Sequence, residues 1–196
     1  RSIDPEILKN GIVCASAGNH AQGVAFSCNK LQIMGSIFMP TTTPKQKIEQ
    51  VRMFGREYIE IILTGDTFDA ANSAAIKFAN ENDKTFIPPF DDPKVMEGQG
   101  TIGREIISQT KEKLDYIFVP IGGGGLASGL GSYIRQMSPD TKIIGVEPAG
   151  APCMKAAIEA GKVVKLEQID KFVDGAAVQE AGSLTYQVCK EVLDDI

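Results

Sequence analysis

The sequence predicts an α/β fold in which parallel strands and helices alternate as βαβ units. Short runs rich in β-branched and aromatic residues alternate with longer segments in which apolar residues recur with the period of a helix. Strands are predicted at residues 12–15, 35–39, 58–63, 85–87, 116–121 and 142–146. Helices are predicted at residues 20–31, 44–54, 68–80, 95–111, 126–137 and 153–160. Strands separated by helices of this length are typical of a parallel sheet.

Several element boundaries are marked by particular residues. The first predicted strand is an uninterrupted apolar run, Ile-Val-Cys-Ala at 12–15. Pro44 is predicted in the first turn of its helix, behind three threonines that can cap it. The densest run of turn-forming residues, 86–93, is the best candidate for a domain crossing. Residues 1–10 resemble the end of a helix. Residues 193–196 lie inside or just after another helix and close no evident unit, so we expect a fragment truncated at both ends.

The composition narrows the classes of function. The chain has 196 residues, 43% hydrophobic and 23% charged, which is enough for one or two domains with a buried core. The net charge of -5 argues against nucleic acid or an anionic membrane as the main partner, because both favour a basic face. No apolar run is long enough to span a bilayer, and the first residues contain no signal-peptide core. We therefore expect a cytoplasmic protein.

The cysteines and the single histidine carry little evidence of a metal site. Cys14, Cys28, Cys153 and Cys189 are widely spaced and form no C-x-x-C pair, so buried reduced thiols are expected. His20 is the only histidine, which excludes a site with several histidine ligands. A Ser-His-Asp triad would have to use His20 itself.

Four consecutive glycines follow one predicted strand and precede a helix. Gly122, Gly123, Gly124 and Gly125 would direct backbone N–H groups outward at the positive end of the helix dipole. Glycine also lets the backbone approach a phosphate without interference from a Cβ atom. The alternative is a tight turn, for which one or two glycines would serve. Phosphate binding is the favoured interpretation.

A dinucleotide-binding loop is a competing interpretation of the same residues. Gly122, Gly124 and Ala127 fit the pattern G-x-G-x-x-A, and Glu147 follows about twenty residues later, as in nicotinamide-dependent oxidoreductases. However, the loop comes after four βα-type segments, whereas the fingerprint usually belongs to the first one. No G-x-x-x-x-G-K-[ST] motif occurs, so P-loop nucleotidases are excluded.

A second loop has the same position between a strand and a helix. Ser16, Asn19 and the free N–H groups of the turn at residues 16–20 could hold a carboxylate or a phenolate-like oxygen. The alternative is that Ser16 or Asn19 only caps the helix that follows. His20 taken alone is more often structural than catalytic.

Together these loops belong to a longer series of motifs in the sequence. The series is Ser-Ala-Gly-Asn-His-Ala-Gln-Gly at 16–23, Phe-Met-Pro at 38–40, Lys-Gln-Lys at 45–47, Leu-Thr-Gly-Asp at 63–66, Glu-Gly-Gln-Gly-Thr at 97–101, the four glycines, Gly-Val-Glu-Pro at 145–148 and Asp-Gly-Ala-Ala-Val at 174–178. In this order they resemble the threonine dehydratases, pyridoxal-phosphate enzymes of the tryptophan-synthase-β-like fold. The stretch Lys-Phe-Val-Asp-Gly-Ala-Ala-Val at 171–178 favours the biosynthetic branch over the catabolic one.

The resemblance implies a cofactor, a reaction and a set of site residues. Residues 1–96 would form a small domain, and residues 97–196 part of a large one. The cofactor would be pyridoxal 5′-phosphate, and the reaction would convert L-threonine to 2-oxobutanoate and ammonia, the first committed step of isoleucine biosynthesis. The full-length enzyme would be a homo-oligomer. The cofactor's phosphate would contact Gly122, Gly123, Gly124, Gly125 and the N–H of Leu126. Its ring oxygen O3′ would contact Asn19, and the substrate would contact Ser16, Gly18, Asn19 and His20.

The sequence also departs from the family's pattern. The Schiff-base lysine of the family lies upstream of the asparagine loop, and no such motif occurs here, so we expect this lysine upstream of Arg1. No catalytic residue is therefore assigned within the chain, which is expected to be inactive alone. The serine that contacts the pyridine nitrogen is also missing. Glu147 and Ala151 match a divalent-cation site of the racemase branch, but its third position is Cys153, a poor ligand for hard cations, so no metal is predicted.

Three alternatives remain open from the sequence. Within the family, the enzyme could be a serine dehydratase, a racemase or another β-eliminating enzyme. From another class, it could be a nicotinamide-dependent oxidoreductase. The chain could also be a non-catalytic module that binds anions.

Overall fold

The computed structural model of the protein describes residues 3–196. The chain forms two compact units, of which the first ends at Pro89 and the second begins at Phe90. The boundary between them therefore lies inside the run of turn-forming residues at 86–93. The boundary predicted at residue 96 falls instead within a continuous helix, Pro93–Gln109.

The first unit is built around a four-stranded parallel sheet. The elements in chain order are α1 (Pro5–Leu8), β1 (Ile12–Ala15), α2 (Asn19–Leu31), β2 (Gly35–Met39), α3 (Lys45–Gly55), β3 (Ile59–Leu63), α4 (Phe68–Glu81) and β4 (Thr85–Phe86). A 3-10 turn, Arg56–Tyr58, precedes β3. The order along the sheet is β3-β2-β1-β4, and Ile12 of β1 lies opposite Gly35 of β2 and Thr85 of β4.

Both faces of this sheet are covered by helices. Alternate residues of β1 belong to two different clusters, because successive side chains of a strand point to opposite faces. Cys14 packs in the cluster that α2 and α3 contribute to, whereas Val13 packs with Ala75 of α4. The whole of β1 is buried as a result. The loop that follows β1 therefore starts from a strand in the interior of the sheet.

The second unit contains two parallel strands and four helices. The elements are α5 (Pro93–Gln109), β5 (Tyr116–Pro120), α6 (Gly125–Met137), β6 (Lys142–Val146), α7 (Cys153–Ala160) and α8 (Ser183–Val192). Tyr116 of β5 lies opposite Lys142 of β6. Ile117 and Val119 of β5 point into a core shared with α6, α7 and α8, while Tyr116 and Phe118 are exposed on the other face.

The structure confirms the predicted α/β class with parallel strands and corrects some details. The four cysteines are free and buried, as predicted. Pro44 is at the N-cap position of α3 rather than in its first turn, and no threonine side chain caps that helix. A helix ending near residue 193 was expected and is found as α8, although its start at Ser183 was not predicted.

The start of the chain is described only in part. A portion of the helix expected at residues 1–10 is found as α1. Arg1 and Ser2 lie outside the described residues. The expectation that the Schiff-base lysine lies upstream of Arg1 is not tested by the structure and stays a prediction.

A search of residues 3–196 finds no helix with both the length and the apolar character needed to cross a membrane.

Candidate functional site

The first candidate loop links β1 to α2 in the first unit. The backbone N–H of Ser16 still donates to Phe38 O of the neighbouring strand, at 3.1 Å, and the chain then leaves the sheet. The hydroxyl of Ser16 accepts a hydrogen bond from Gly18 N at 3.1 Å, which closes a tight turn. Gly18 is the N-cap of α2, and no side chain caps this helix.

Asn19 is the first residue of α2 and has an exposed side chain. Within residues 3–196 its amide makes no hydrogen bond, so it does not act as the helix cap that the sequence left open. The N–H groups of Asn19, His20 and Ala21 also have no acceptor among the described residues. These donors lie at a helix N-terminus, where the dipole favours an anion. The arrangement fits an external carboxylate or phenolate oxygen.

His20 is held by the backbone rather than by another side chain. Its Nε2 lies 3.1 Å from Ile87 O, and because a carbonyl only accepts, Nε2 carries the hydrogen. Burial lowers the pKa of His20, and the Ile87 carbonyl opposes this by favouring the protonated ring. The imidazole is therefore neutral near pH 7. It fixes the first turn of α2 against the chain that follows β4.

The second candidate loop links β5 to α6 in the second unit. The backbone N–H groups of Gly122 through Ala127 make no hydrogen bond to any atom of residues 3–196. Gly123, Gly124 and Gly125 are nevertheless buried. A buried N–H group without a partner costs about as much free energy as a lost hydrogen bond, so such a row of donors indicates an acceptor outside the chain. At the start of α6, an anion suits these donors best.

Close packing also explains why three of these four positions are occupied by glycine. A Cβ atom on Gly124, whose φ is +95°, would lie 2.6 Å from Met154 Cε and 2.9 Å from Thr185 Cβ. A Cβ on Gly123 would overlap the ring of Phe90, and one on Gly125 would lie 2.9 Å from Phe90 Cβ. The glycine run is thus explained largely by what packs behind the loop. A phosphate at this loop is therefore indicated by the unpartnered N–H groups and not by the number of glycines.

Glu147 has a role inside the second unit. Its Oε1 accepts from Met154 N at 2.8 Å and its Oε2 from Lys155 N at 2.9 Å, so both oxygens cap α7. Burial raises the pKa of Glu147 above its ordinary value. The two hydrogen bonds stabilise the carboxylate and offset part of this rise. A dinucleotide site needs this acidic residue for a ribose hydroxyl. Here both oxygens already bind the protein, which weakens the oxidoreductase alternative.

Sequence reasoning missed the side chains that support the glycine loop from behind. The hydroxyls of Thr185 and Ser128 donate hydrogen bonds to carbonyl oxygens of the loop. The thiols of Cys153 and Cys189 also contact loop carbonyls, at longer distances. Thr185 and Cys189 are separated from the loop by more than sixty residues of sequence, and they follow no motif. No local signal in the sequence could have identified them.

Comparison with known proteins places the chain among cofactor-dependent enzymes. A family model described as "Pyridoxal-phosphate dependent enzyme" matches residues 5–196. The biosynthetic L-threonine dehydratase IlvA of Halalkalibacterium halodurans is 58% identical over 195 residues, which is 100% of this chain and 47% of that protein. The chain therefore spans about half the length of this curated relative.

Solved structures show the same fold. The processed form of threonine deaminase isoform 2 from Solanum lycopersicum superposes with a TM-score of 0.92 at 45% identity, covering 100% of this chain and 56% of that one. Maize serine racemase superposes with a TM-score of 0.90 at 31% identity, covering 99% of this chain and 57% of that one. The predicted tryptophan-synthase-β-like fold is confirmed by these similarities.

Proposed function

Since this chain belongs to the family of pyridoxal-phosphate-dependent enzymes, we propose that it is part of an L-threonine dehydratase that forms 2-oxobutanoate and ammonia. The observation that carries the cofactor assignment is the row of unpartnered N–H groups from Gly122 to Ala127. The choice of threonine is supported by the 58% identity to a protein named L-threonine dehydratase. Isoleucine biosynthesis is proposed for the same reason.

The glycine loop is proposed to bind the phosphate of the cofactor. The N–H groups of Gly122, Gly123, Gly124, Gly125 and Leu126 would donate to the phosphate oxygens. Hydrogen bonds to a charged acceptor are stronger than those to a neutral one, and the dipole of α6 adds to them. This anchoring would leave the rest of the cofactor free to react.

The asparagine loop is proposed to orient reacting groups. When bound, pyridoxal phosphate supplies an electron sink for the electrons that remain as an amino acid loses its α-proton. The free amide of Asn19 would donate to the ring oxygen O3′ of the cofactor. The Ser16 hydroxyl and the N–H groups of Asn19 and His20 would bind the substrate carboxylate. Gly18, whose N–H already donates to Ser16 Oγ, would line the site without donating to it. In this loop the neutral His20 holds the helix start in place and adds no charge.

Two alternatives are less well supported. A serine racemase or serine dehydratase shares the fold, but the similarity to maize serine racemase is 31% identity, against 45% for threonine deaminase isoform 2 from Solanum lycopersicum. A nicotinamide-dependent oxidoreductase would need Glu147 for a ribose, but the oxygens of Glu147 accept from Met154 N and Lys155 N instead.

We also propose that the full-length enzyme is cytoplasmic and homo-oligomeric. The four free thiols suit a reducing compartment.

The activity is tested on the protein that contains this chain. L-Threonine and L-serine are offered separately, each with and without a nicotinamide cofactor. Keto acid, D-serine and reduction of the nicotinamide are measured. We expect 2-oxobutanoate from L-threonine, with turnover that depends on added pyridoxal phosphate after the cofactor has been removed. D-Serine as the main product would favour the racemase instead, and hydride transfer would favour the oxidoreductase.

The 196-residue chain by itself is expected to be inactive, because none of its lysines lies in the family's lysine motif. The reacting lysine is proposed to precede Arg1 in the longer protein. The chain is incubated with pyridoxal phosphate and L-threonine and reduced with borohydride, and the labelled lysines are mapped. Scattered labelling without turnover is expected. Steady production of 2-oxobutanoate with one lysine fully labelled would show that the catalytic lysine has been missed.

A further inference from the structure

The carbonyl oxygens of three successive loop glycines all accept hydrogen bonds from within the second unit. Thr185 Oγ1 donates to Gly123 O at 2.5 Å. Ser128 Oγ donates to Gly124 O at 2.7 Å. The thiol of Cys153 lies 3.5 Å from Gly122 O, a weaker contact because sulfur is a poor donor.

These bonds set the direction of the N–H groups. In a planar trans peptide the C=O of one residue and the N–H of the next point in opposite directions. When the Gly123 carbonyl is held toward Thr185, the N–H of Gly124 must point away from it. The bond to Gly124 O directs the N–H of Gly125 in the same manner. The outward row of donors is therefore a consequence of how the carbonyls are held.

Of the two hydroxyl bonds, the one from Thr185 has the weaker substitute. Gly124 O also accepts from Ser128 N at 2.9 Å, so it keeps a partner if the Ser128 hydroxyl is lost. The other partner of Gly123 O is Gly182 N, at the longer distance of 3.3 Å. Gly123 belongs to a glycine run, in which the backbone can rotate easily. Without the Thr185 hydroxyl, the peptide between Gly123 and Gly124 keeps only the longer bond from Gly182 N and becomes freer to turn over.

Thr185 is itself fixed by its surroundings. It is fully buried and lies in the first turn of α8. The carboxylate of Asp91 accepts from Ser183 N at 3.0 Å, Leu184 N at 2.8 Å and Thr185 N at 3.1 Å, which anchors that turn. The hydroxyl has a second acceptor, Gly182 O, at 3.2 Å, but its single hydrogen favours the shorter bond to Gly123.

We propose that Thr185 is a positioning residue for the phosphate site, because its hydroxyl holds the Gly123–Gly124 peptide with the N–H of Gly124 facing a bound phosphate. The inference rests on the proposed role of the glycine loop as that site. Thr185 does not touch the ligand in this account. It acts only through the orientation of one peptide.

The test compares binding of two probes to purified protein. Pyridoxine 5′-phosphate carries the phosphate but has no aldehyde to react with lysines, and pyridoxine lacks the phosphate. The variants are Thr185→Val, which removes the hydroxyl at nearly constant volume, and Thr185→Ser, which restores it. Thr141→Val is the matched control, because Thr141 is also fully buried and its hydroxyl donates to a backbone carbonyl, Leu114 O, at 2.8 Å.

The expected result is a selective loss of phosphate recognition. Thr185→Val should weaken binding of pyridoxine 5′-phosphate about tenfold, the effect of losing one well-placed hydrogen bond, with little change for pyridoxine. Thr185→Ser should bind about as wild type. Thr141→Val should lower the free energy of unfolding measured in urea, with no loss of affinity for pyridoxine 5′-phosphate. If Thr185→Val does not fold, Thr185→Ala is measured in its place, since it removes the same hydroxyl.

The outcomes separate the two proposals. A wild-type protein that binds both probes equally would overturn the phosphate site and the role of Thr185 with it. A wild-type protein that prefers the phosphate, with the same preference in Thr185→Val, would overturn the positioning role alone. A loss in Thr185→Val that Thr185→Ser does not restore would also overturn it, since shape rather than the hydroxyl would then be responsible.

Discussion

The Asp91 carboxylate accepts a hydrogen bond from Leu184 N at 2.8 Å, across 93 residues of sequence, and so caps α8 from another part of the second unit. Two further N–H groups of the same turn donate to it. The N-cap residue itself, Gly182, has no side chain that could do this. The first turn of α8 therefore depends on a residue just after the boundary between the two units.

Asp91→Ala is predicted to destabilise the second unit. Loss of a helix cap costs about 1–2 kcal/mol, and three N–H groups lose their acceptor here. Urea unfolding measures the effect. Glu159→Ala is the control, because Glu159 is exposed at the end of α7 and neither caps a helix nor forms an ion pair within residues 3–196. Equal stability of both variants would contradict the capping role.

Asn19→Ala is predicted to lower turnover with little effect on stability. The Asn19 side chain is exposed and forms no hydrogen bond within residues 3–196, so its loss should change the free energy of unfolding by less than about 0.5 kcal/mol. Turnover of the protein that contains the chain should fall, because the cofactor's ring would lose a donor. Cofactor affinity should change less, since the phosphate anchor remains.

Asn29→Ala provides the opposite case for comparison. The amide of Asn29 donates to Phe54 O at 3.0 Å and ties α2 to the end of α3. This variant should lose stability and leave the loop at residues 16–20 unaffected. If Asn19→Ala instead loses stability like Asn29→Ala and keeps its turnover, the assigned role of Asn19 is wrong.

Asp194 is predicted to make the protein sensitive to acid. Partial burial raises its pKa, but hydrogen bonds from Ile143 N, Lys142 and Arg135 outweigh this and lower the pKa to about 2. A carboxyl whose pKa is lower in the folded state stabilises the protein at pH values above its unfolded pKa. This contribution is lost as the pH falls through the folded pKa.

The test of Asp194 is a series of urea unfolding curves between pH 7 and pH 2. Asp194→Asn should be less stable than wild type at pH 7, and the difference should shrink below pH 4. Asp140→Asn is the control, because among the described residues Asp140 pairs only with Lys113, in an exposed ion pair at 3.1 Å. A difference between wild type and Asp194→Asn that stays constant over this range would contradict the assignment.

Gly124→Asp is predicted to abolish binding of pyridoxine 5′-phosphate. It places a carboxylate beside the proposed phosphate and a Cβ atom against Met154 and Thr185. Gly161→Asp separates these effects from backbone strain alone. Gly161 also has a positive φ, +70°, but has no atom within 4 Å of its ideal Cβ position. Gly161→Asp should lose some stability and bind the probe normally. Binding by folded Gly124→Asp at wild-type affinity would exclude the loop as the phosphate site.

Strands and loops that depend on local sequence patterns were predicted correctly. Contacts between residues far apart in the sequence were not. The limits of β1 and β2 were predicted correctly because both strands are buried on both faces and so form continuous, largely apolar runs. Both candidate loops were found because the residues that define them are consecutive. The start of α8 was not predicted. The roles of Asp91 and Thr185 were not predicted either, because they depend on contacts across 62 or more residues of sequence.

The central claim, that the row of N–H groups from Gly122 to Ala127 binds a phosphate, is tested most directly by NMR with glycine-selective ¹⁵N labelling. The labelled protein is titrated with pyridoxine 5′-phosphate and, separately, with pyridoxine. We predict that the amide protons of Gly123, Gly124 and Gly125 shift downfield with the phosphate ester only, as expected for hydrogen bonds to an anion. Loop amides that do not move at saturating ligand, or that move equally with pyridoxine, would contradict the claim.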